Sequence, residues 1–157
     1  MKKLILAAIL GTLACGNAIA DKWVVFGADY TVANLVNMSN IKRSGNSAKA
    51  WLAYINIDPK KPYDLDLHRI NVNCFEESMQ ISVSYDYLKG KLKNSHNKPS
   101  DWFTPPPGSV GHAAIACVCE PSKTEDYGFY DVDDIKEKVP EIQGVLRKLK
   151  KEHEKDI

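Results

Sequence analysis

The clearest pattern in the chain is a strict alternation of apolar and polar residues from Met79 to Tyr87. The apolar positions are Met79, Ile81, Val83, Tyr85 and Tyr87, and the polar positions between them are Gln80, Ser82, Ser84 and Asp86. A period of two over this length predicts an antiparallel strand with one face in the core and the other in solvent.

A second alternating segment precedes it, between Tyr63 and Phe75. Within it Ile70, Val72 and Cys74 share one face, whereas Arg69, Asn71 and Asn73 share the other. Only Phe75 to Ser78 separates the two segments, so we expect them to form a hairpin. The polar face of this hairpin would then combine Arg69, Asn71, Asn73, Gln80, Ser82, Ser84 and Asp86.

Three further strands are predicted nearer the N-terminus, at Trp23 to Phe26, Tyr30 to Val36 and Ala48 to Ile57. The last of them has Trp51, Ala53 and Ile55 on one side, while Leu52 and Tyr54 on the other side are not polar either. We therefore expect both faces of the sheet to be partly covered. Lys89 to Asp101 is polar and indicates a solvated loop, with at most a short strand around Leu92.

A helix is predicted after the three prolines Pro105 to Pro107, which exclude a helix or a central strand at their own positions. Ser109 is a favourable N-cap, and Glu120-Pro121 would end the helix. The small apolar residues between them are typical of a short buried helix that carries cysteines to the core.

A second helical stripe lies in the tail, where Ile135, Val139, Ile142, Leu146 and Leu149 recur every three or four residues. Pro140 and Gly144 interrupt it, which predicts a kink or two shorter helices. The stripe is narrow, so we expect a peripheral element whose deletion, over residues 131–157, leaves the sheet domain folded.

The N-terminal twenty residues have the features of a secretory signal peptide. Lys2 and Lys3 precede an apolar run from Leu4 to Ala14, and Ala18-Ile19-Ala20 fits the small-x-small rule for cleavage between Ala20 and Asp21. Lipidation at Cys15 is the alternative. The predicted organisation is a signal peptide at 1–20, a sheet domain at 21–120, and a linker with a charged amphipathic helical tail at 121–157.

Charge and cysteine content limit the possible partners and the compartment of the protein. The chain has 21 Lys and Arg against 20 Asp and Glu, so loss of Lys2 and Lys3 changes the net charge from +1 to −1. A near-neutral protein has no global field for nucleic acid, so we expect no nucleic-acid partner. Cys74, Cys117 and Cys119 remain after cleavage, and in an oxidising compartment they predict one disulfide and one odd thiol.

Motifs for catalysis or metal binding are missing from the sequence. It has no G-x-S-x-G, P-loop or G-x-G-x-x-G, and its four histidines have no metal-ligand spacing. Cys117-Val118-Cys119 near His112 lacks the C-x₂₋₄-C spacing and the four ligands of a zinc site. We therefore expect no enzyme activity, no metal and no cofactor.

The ordered set of features resembles the surface-adhesin protein E family of Gram-negative bacteria over residues 23 to 119. The matching elements are Trp23 opening the first strand, Asn40-Ile41 before a turn, Trp51, Tyr63-Asp64, Cys74 in a strand, Tyr87 to Gly90, Trp102, Pro107-Gly108-Ser109 and a final cysteine at Cys119.

This resemblance implies an α+β fold, in which an antiparallel sheet of about six strands carries a short helix fixed to one face by a disulfide. On that helix Cys119 shares a stripe with His112 and Ile115 and matches the family's last cysteine. Residues two apart on a helix are separated by about 200°, so Cys117 and Cys119 should not both face the sheet. We therefore expect a Cys74–Cys119 disulfide and a reduced Cys117.

The resemblance also implies a function. Family members are surface or exported proteins, and the namesake binds host matrix proteins, binds haem and dimerises. We expect an exported, non-enzymatic adhesin at the cell surface or outer membrane that binds a protein partner through the polar hairpin face. Haem binding and a homodimer are expected from the resemblance alone. The alternative function is a periplasmic accessory protein that never contacts a host.

Overall fold

The structure, a computed structural model, describes residues 20–124 and 129–155. In these residues eight strands form one antiparallel sheet in the order β7-β6-β5-β4-β2-β1-β8, and β3 pairs with β4. The strands are β1 (Asp21–Ala28), β2 (Val32–Asn37), β3 (Lys42–Ser44), β4 (Ser47–Asn56), β5 (Leu65–Asn73), β6 (Ser78–Leu88), β7 (Lys91–His96) and β8 (Phe129–Val132). Two helices, α1 (Val110–Cys119) and α2 (Ile135–His153), complete an α+β fold, as the sequence predicted.

The sheet is larger than the sequence indicated, with eight strands in place of about six. All six residues of β7 are exposed, so the strand is held by backbone pairing to β6 and shows no apolar alternation. β8 has only four residues and pairs with β1, where Tyr130 lies opposite Trp23. Short or polar edge strands of this kind leave little hydrophobic pattern to detect.

Both faces of the sheet are covered, as the apolar residues on both sides of β4 predicted. The face towards α1, called here the α1-side face, carries Ala50, Leu52, Ile70 and Val72 in one buried cluster. The opposite, α2-side face carries a second buried cluster that contains Leu35, Ala53, Ile55 and Leu65. The core therefore has two layers, one on each side of the sheet.

Helix α1 begins where the sequence predicted. Ser109 is its N-cap, with an extended backbone and an Oγ atom that accepts a hydrogen bond from the His112 amide at 3.3 Å. A Cβ atom at Gly111 would lie 2.9 Å from two side-chain carbons of the buried Pro105. Glycine at this position therefore allows the helix to pass close to the proline segment that precedes it.

The disulfide joins Cys74, just after β5, to Cys119 at the end of α1, with a Cα–Cα distance of 5.7 Å. This pairing confirms the prediction. Cys117 is the free cysteine and is buried, with 5% of its surface exposed. Both cysteines of α1 therefore contact the core, contrary to the expectation from helix geometry: Cys117 belongs to the core cluster beneath α1, and Cys119 reaches Cys74 from the last residue of the helix.

The tail packs on the sheet more closely than a peripheral helix was expected to, and the effect of deleting residues 131–157 stays a prediction. Four residues of α2, Ile135, Val139, Ile142 and Leu146, are buried in the cluster on the α2-side face. The stripe is narrow, but the sheet offers it an apolar face that includes Leu35, Ala53 and Ile55. The helix is also continuous through Pro140, which is exposed in its second turn and removes one backbone hydrogen bond.

The predicted signal peptide at 1–20 lies outside the described residues except for Ala20, and its cleavage between Ala20 and Asp21 remains a prediction. Asp21 is the first residue of β1. Its carboxylate accepts hydrogen bonds from the side-chain amides of Asn37, at 2.8 Å, and Asn40, at 2.7 Å. Neither helix in the described part of the chain is long and apolar enough to cross a membrane.

Candidate binding surface

Four of the seven residues predicted to form a binding face lie together on the α2-side face of β5 and β6. They are Arg69, Asn71, Asn73 and Gln80, which occupy paired or alternate positions of the two strands. Asn71 Nδ2 donates to Gln80 Oε1 at 2.9 Å, and Gln80 Nε2 donates to the Ser100 carbonyl oxygen at 2.9 Å. The amide side chains are therefore held in fixed positions, and Arg69 beside them is exposed.

The other three residues are displaced by a β-bulge in β6. Arg69 pairs with Val83 whereas Ile70 pairs with Ile81, so Ser82 is an extra residue without a partner in β5. Ser82 Oγ donates to the Arg69 carbonyl oxygen at 3.0 Å. An extra residue reverses the faces of all positions beyond it, because side chains alternate with a period of two.

Ser84 and Asp86 consequently lie on the α1-side face, opposite His68 and Asp66. The prediction that they share a face with Arg69, Asn71 and Gln80 is wrong. A strictly alternating segment gives no sign of a bulge within itself. The neighbouring strand does, because its apolar residues change from odd positions at Leu65 and Leu67 to even positions at Ile70 and Val72.

The bulge brings aromatic side chains to the α2-side face in place of the displaced polar residues. Tyr85 stacks on Trp51 of β4, with ring centroids 6.1 Å apart and an interplanar angle of 23°. Tyr87 packs at the edge of the cluster beneath α2. We call the group formed by Trp51, Arg69, Asn71, Gln80 and Tyr85 the hairpin face. Its members are half-buried, apart from the exposed Arg69.

A groove continues from the hairpin face to the start of α2 and encloses about 320 Å³. Trp51, Tyr85 and Tyr87 line it together with acidic residues that include Asp133 and Asp134. We call this feature the aromatic groove. Sequence reasoning missed it because its walls come from five separate strands and one helix start.

A second cavity, of about 420 Å³, lies on the α1-side face near the start of α1 and is lined in part by Tyr54, Asp66 and His68. Burial, followed by the charge of Asp86, raises the pKa of Asp66 to about 6. Burial also lowers the pKa of His68, and burial together with Asp66 raises the pKa of Tyr54 to about 12. Asp66 Oδ1 and His68 Nδ1 are buried without a hydrogen-bond partner among the described residues.

This cavity gathers perturbed groups, a property shared by binding sites and strained structural clusters. Asp86, which lies opposite Asp66 in β6, contacts two residues of β7. Its Oδ2 atom lies 3.5 Å from His96 Nε2 and 3.3 Å from Asn94 Nδ2. Within residues 20–124 and 129–155, no three His, Cys, Asp or Glu side chains come close enough to hold a metal ion.

Comparison with protein families gives one match, to the family described as surface-adhesin protein E, over residues 23–120. The chain belongs to this family. No curated protein and no solved structure matches it. The matched region runs from β1 to the residue after α1, and so it includes the hairpin face and the disulfide. The family is one of surface adhesins, which indicates an exported protein of the cell surface.

Proposed function

We propose that this protein is an exported, non-enzymatic adhesin that binds a host extracellular-matrix protein through the hairpin face. The observation that carries the proposal is the composition of that face. It combines a stacked Trp51–Tyr85 pair, an exposed Arg69 and a hydrogen-bonded Asn71–Gln80 pair on a rigid strand pair. Aromatic residues and arginine are the side chains that dominate binding energy in protein interfaces.

The polar side chains of the hairpin face suit a hydrated protein–protein interface. Fixed amide groups offer donors and acceptors at defined positions, so a partner can bind with hydrogen bonds and bridging water. A wet interface of moderate affinity suits an adhesin, which acts through many copies on one cell. The periplasmic accessory role remains the alternative, with the same face contacting a bacterial protein.

Binding to immobilised matrix proteins tests the proposal. The purified chain from Asp21 is passed over fibronectin, laminin and collagen by surface plasmon resonance, and Arg69→Glu is compared with Lys93→Glu. Both variants make the same charge change, but Lys93 is exposed on β7, away from the hairpin face. We expect Arg69→Glu to weaken binding about tenfold or more and Lys93→Glu to leave it unchanged.

A charge reversal at Asp86 is not informative in this experiment, because Asp86 lies on the α1-side face. Protease treatment of intact cells provides the second measurement. A protein that binds none of the matrix proteins and is protected on intact cells would contradict the adhesin function and favour the accessory role. Equal losses in the two variants would reject the hairpin face as the contact surface.

A further inference from the structure

Two kinds of residue line the aromatic groove. One group is aromatic and apolar: Trp23, Trp51, Leu67, Tyr85 and Tyr87. The other group is polar and mostly acidic: Asp21, Asn37, Asn40, Asp133 and Asp134. Aromatic ring faces carry negative potential and attract cations, and this attraction is stronger in a groove that is partly shielded from water. Both kinds of residue therefore favour a positively charged group.

The acidic residues of the groove differ in their partners. Asp21 is held by the side-chain amides of Asn37 and Asn40, which donate to its carboxylate oxygens. Asp134 caps α2 by accepting from the Lys136 amide at 3.0 Å. Asp133 is exposed and has no hydrogen bond or ion pair with any residue that the structure describes. Its carboxylate is the free anion of the groove.

One cation of the chain already uses part of this arrangement. Lys136 Nζ lies 5.3 Å from the centroid of the Tyr87 ring and 2.9 Å from Asp134 Oδ2. An ammonium group held between a tyrosine ring and a carboxylate shows how the groove binds positive charge. The Trp51–Tyr85 pair and Asp133 offer the same two elements in the lining of one groove; Arg69 lies opposite Trp51 in the pairing of β4 with β5 but does not line this groove.

Trp23 lines the groove but is only 4% exposed, and its Nε1 is buried without an acceptor among the described residues. A ligand cannot reach this buried N–H without a movement of the ring, so Trp23 contributes apolar surface to the groove. The positive charge that the groove favours is carried by a basic side chain of a peptide.

We propose that the aromatic groove binds a lysine or arginine side chain from a peptide segment of the partner protein. The charged end lies against Trp51 and Tyr85 and pairs with Asp133, and the aliphatic stem packs on Leu67. This inference rests on the proposed function and names the chemistry of its partner. Since the pairing is electrostatic at a solvent-facing rim, salt weakens it.

Tryptophan indole signals in a two-dimensional NMR spectrum test the proposal at single sites. The chain has three tryptophans, of which Trp23 and Trp51 line the groove and Trp102 is 51% exposed outside it. The probe is Nα-acetyl-lysine methylamide, compared with its Nε-acetylated form, which has the same stem but no charge. We expect the charged probe to shift the Trp23 and Trp51 signals at about millimolar concentration, with Trp102 unmoved.

Three variants sharpen the result. Asp133→Asn removes the free anion from an exposed position and should weaken binding of a lysine decapeptide about two- to threefold, whereas Trp51→Leu should weaken it about five- to tenfold. Lys136→Met keeps the aliphatic stem and removes the chain's own cation. It should strengthen binding, because Tyr87 and Asp134 then become free for the probe.

Several outcomes would overturn the groove assignment. These are equal shifts with the charged and acetylated probes, no shift at Trp23 and Trp51, or shifts with maltotriose but not with lysine. The two proposals fail separately. Matrix binding that is lost in Arg69→Glu but unchanged in Trp51→Leu and Asp133→Asn would remove the groove and keep the adhesin function. A response to the lysine probe without any binding to matrix proteins would keep the groove assignment and reject the adhesin function.

Discussion

Asp66 brings a carboxylate into the α1-side cavity, directly opposite Asp86 in the pairing of β5 with β6. Burial and the neighbouring negative charge raise its pKa from 3.8 to about 6. The folded state therefore holds the Asp66 proton more tightly than the unfolded state does. Stability contributed by this proton is fully present below pH 4 and is lost as the pH rises through about 6.

Replacement of Asp66 by asparagine should therefore stabilise the protein at pH 7.5, by about 1 kcal/mol after allowance for solvent screening. The gain should shrink as the pH falls and vanish only below the ordinary carboxyl pKa of 3.8, where the group is protonated in both states. Urea unfolding of wild type and variant across this range measures the difference. Burial lowers the pKa of His68, so its contribution to stability changes with pH in the opposite sense.

Asp101→Asn is the matched control, because Asp101 is exposed in the segment before α1 and its replacement should change stability by less than about 0.5 kcal/mol at any pH. A stabilisation by Asp66→Asn that is the same at pH 4 and pH 7.5 would contradict the assignment of the effect to its ionisation.

At the scale of elements, apolar–polar alternation and a capping residue in the sequence were sufficient to predict most strands of the sheet and helix α1. Ser109 at the N-cap and the two-sided apolar pattern of β4 led directly to the observed elements. The hairpin face was only partly predictable, because its composition depends on the single unpaired residue Ser82. A bulge is a property of two strands in register, and the pattern of one strand does not contain it.

The sequence predicts the narrow apolar stripe of α2 but not the extent to which the stripe is buried against the sheet. A narrow stripe is peripheral only if no apolar surface is there to receive it, and the second face of the sheet supplies that surface. Deleting residues 131–157 would expose this face and remove α2 together with half of β8. Contrary to the expectation from sequence, the sheet should then lose its cooperative unfolding transition, since a buried aliphatic side chain contributes about 1.5–3 kcal/mol.

A milder pair of substitutions on the same helix tests this role. Ile142→Ala removes a side chain that is 3% exposed and should lower the free energy of unfolding by about 2–4 kcal/mol. Val145→Ala alters a side chain that is 47% exposed and should change it by less than about 0.5 kcal/mol. Urea denaturation monitored by tryptophan fluorescence measures both. Similar small effects at the two positions would mean that α2 packs only loosely on the sheet.

At the scale of the whole molecule, one helix covers part of each face, and the disulfide links the middle of the family-matched region to its C-terminal end. Helix α2 packs on β2, β4 and β8, which leaves the hairpin face on β5 and β6 available to a partner. Helix α1 covers the other face and is tied through Cys119 to the residue that follows β5. The cross-link thus joins the helical layer to the strand that carries Arg69 and Asn71.

The Cys74–Cys119 disulfide should stabilise the folded state. Cys74 and Cys119 are 45 residues apart, and closing a loop of that length stabilises the folded state by about 4 kcal/mol in the chain-entropy account. The double variant Cys74→Ala/Cys119→Ala should lose an amount of this order in urea unfolding. Cys117→Ala keeps the disulfide and removes only a buried thiol, so it should cost about 1 kcal/mol.

The same comparison links stability to compartment. Wild-type protein treated with a reducing agent should lose as much stability as the double variant, whereas the double variant itself should not respond to the reductant. This behaviour suits a protein that folds after export into an oxidising environment. A loss below about 1 kcal/mol would show that the cluster beneath α1 holds the helix without the disulfide. The cross-link would then be dispensable for folding, and an oxidising compartment would no longer be required for stability.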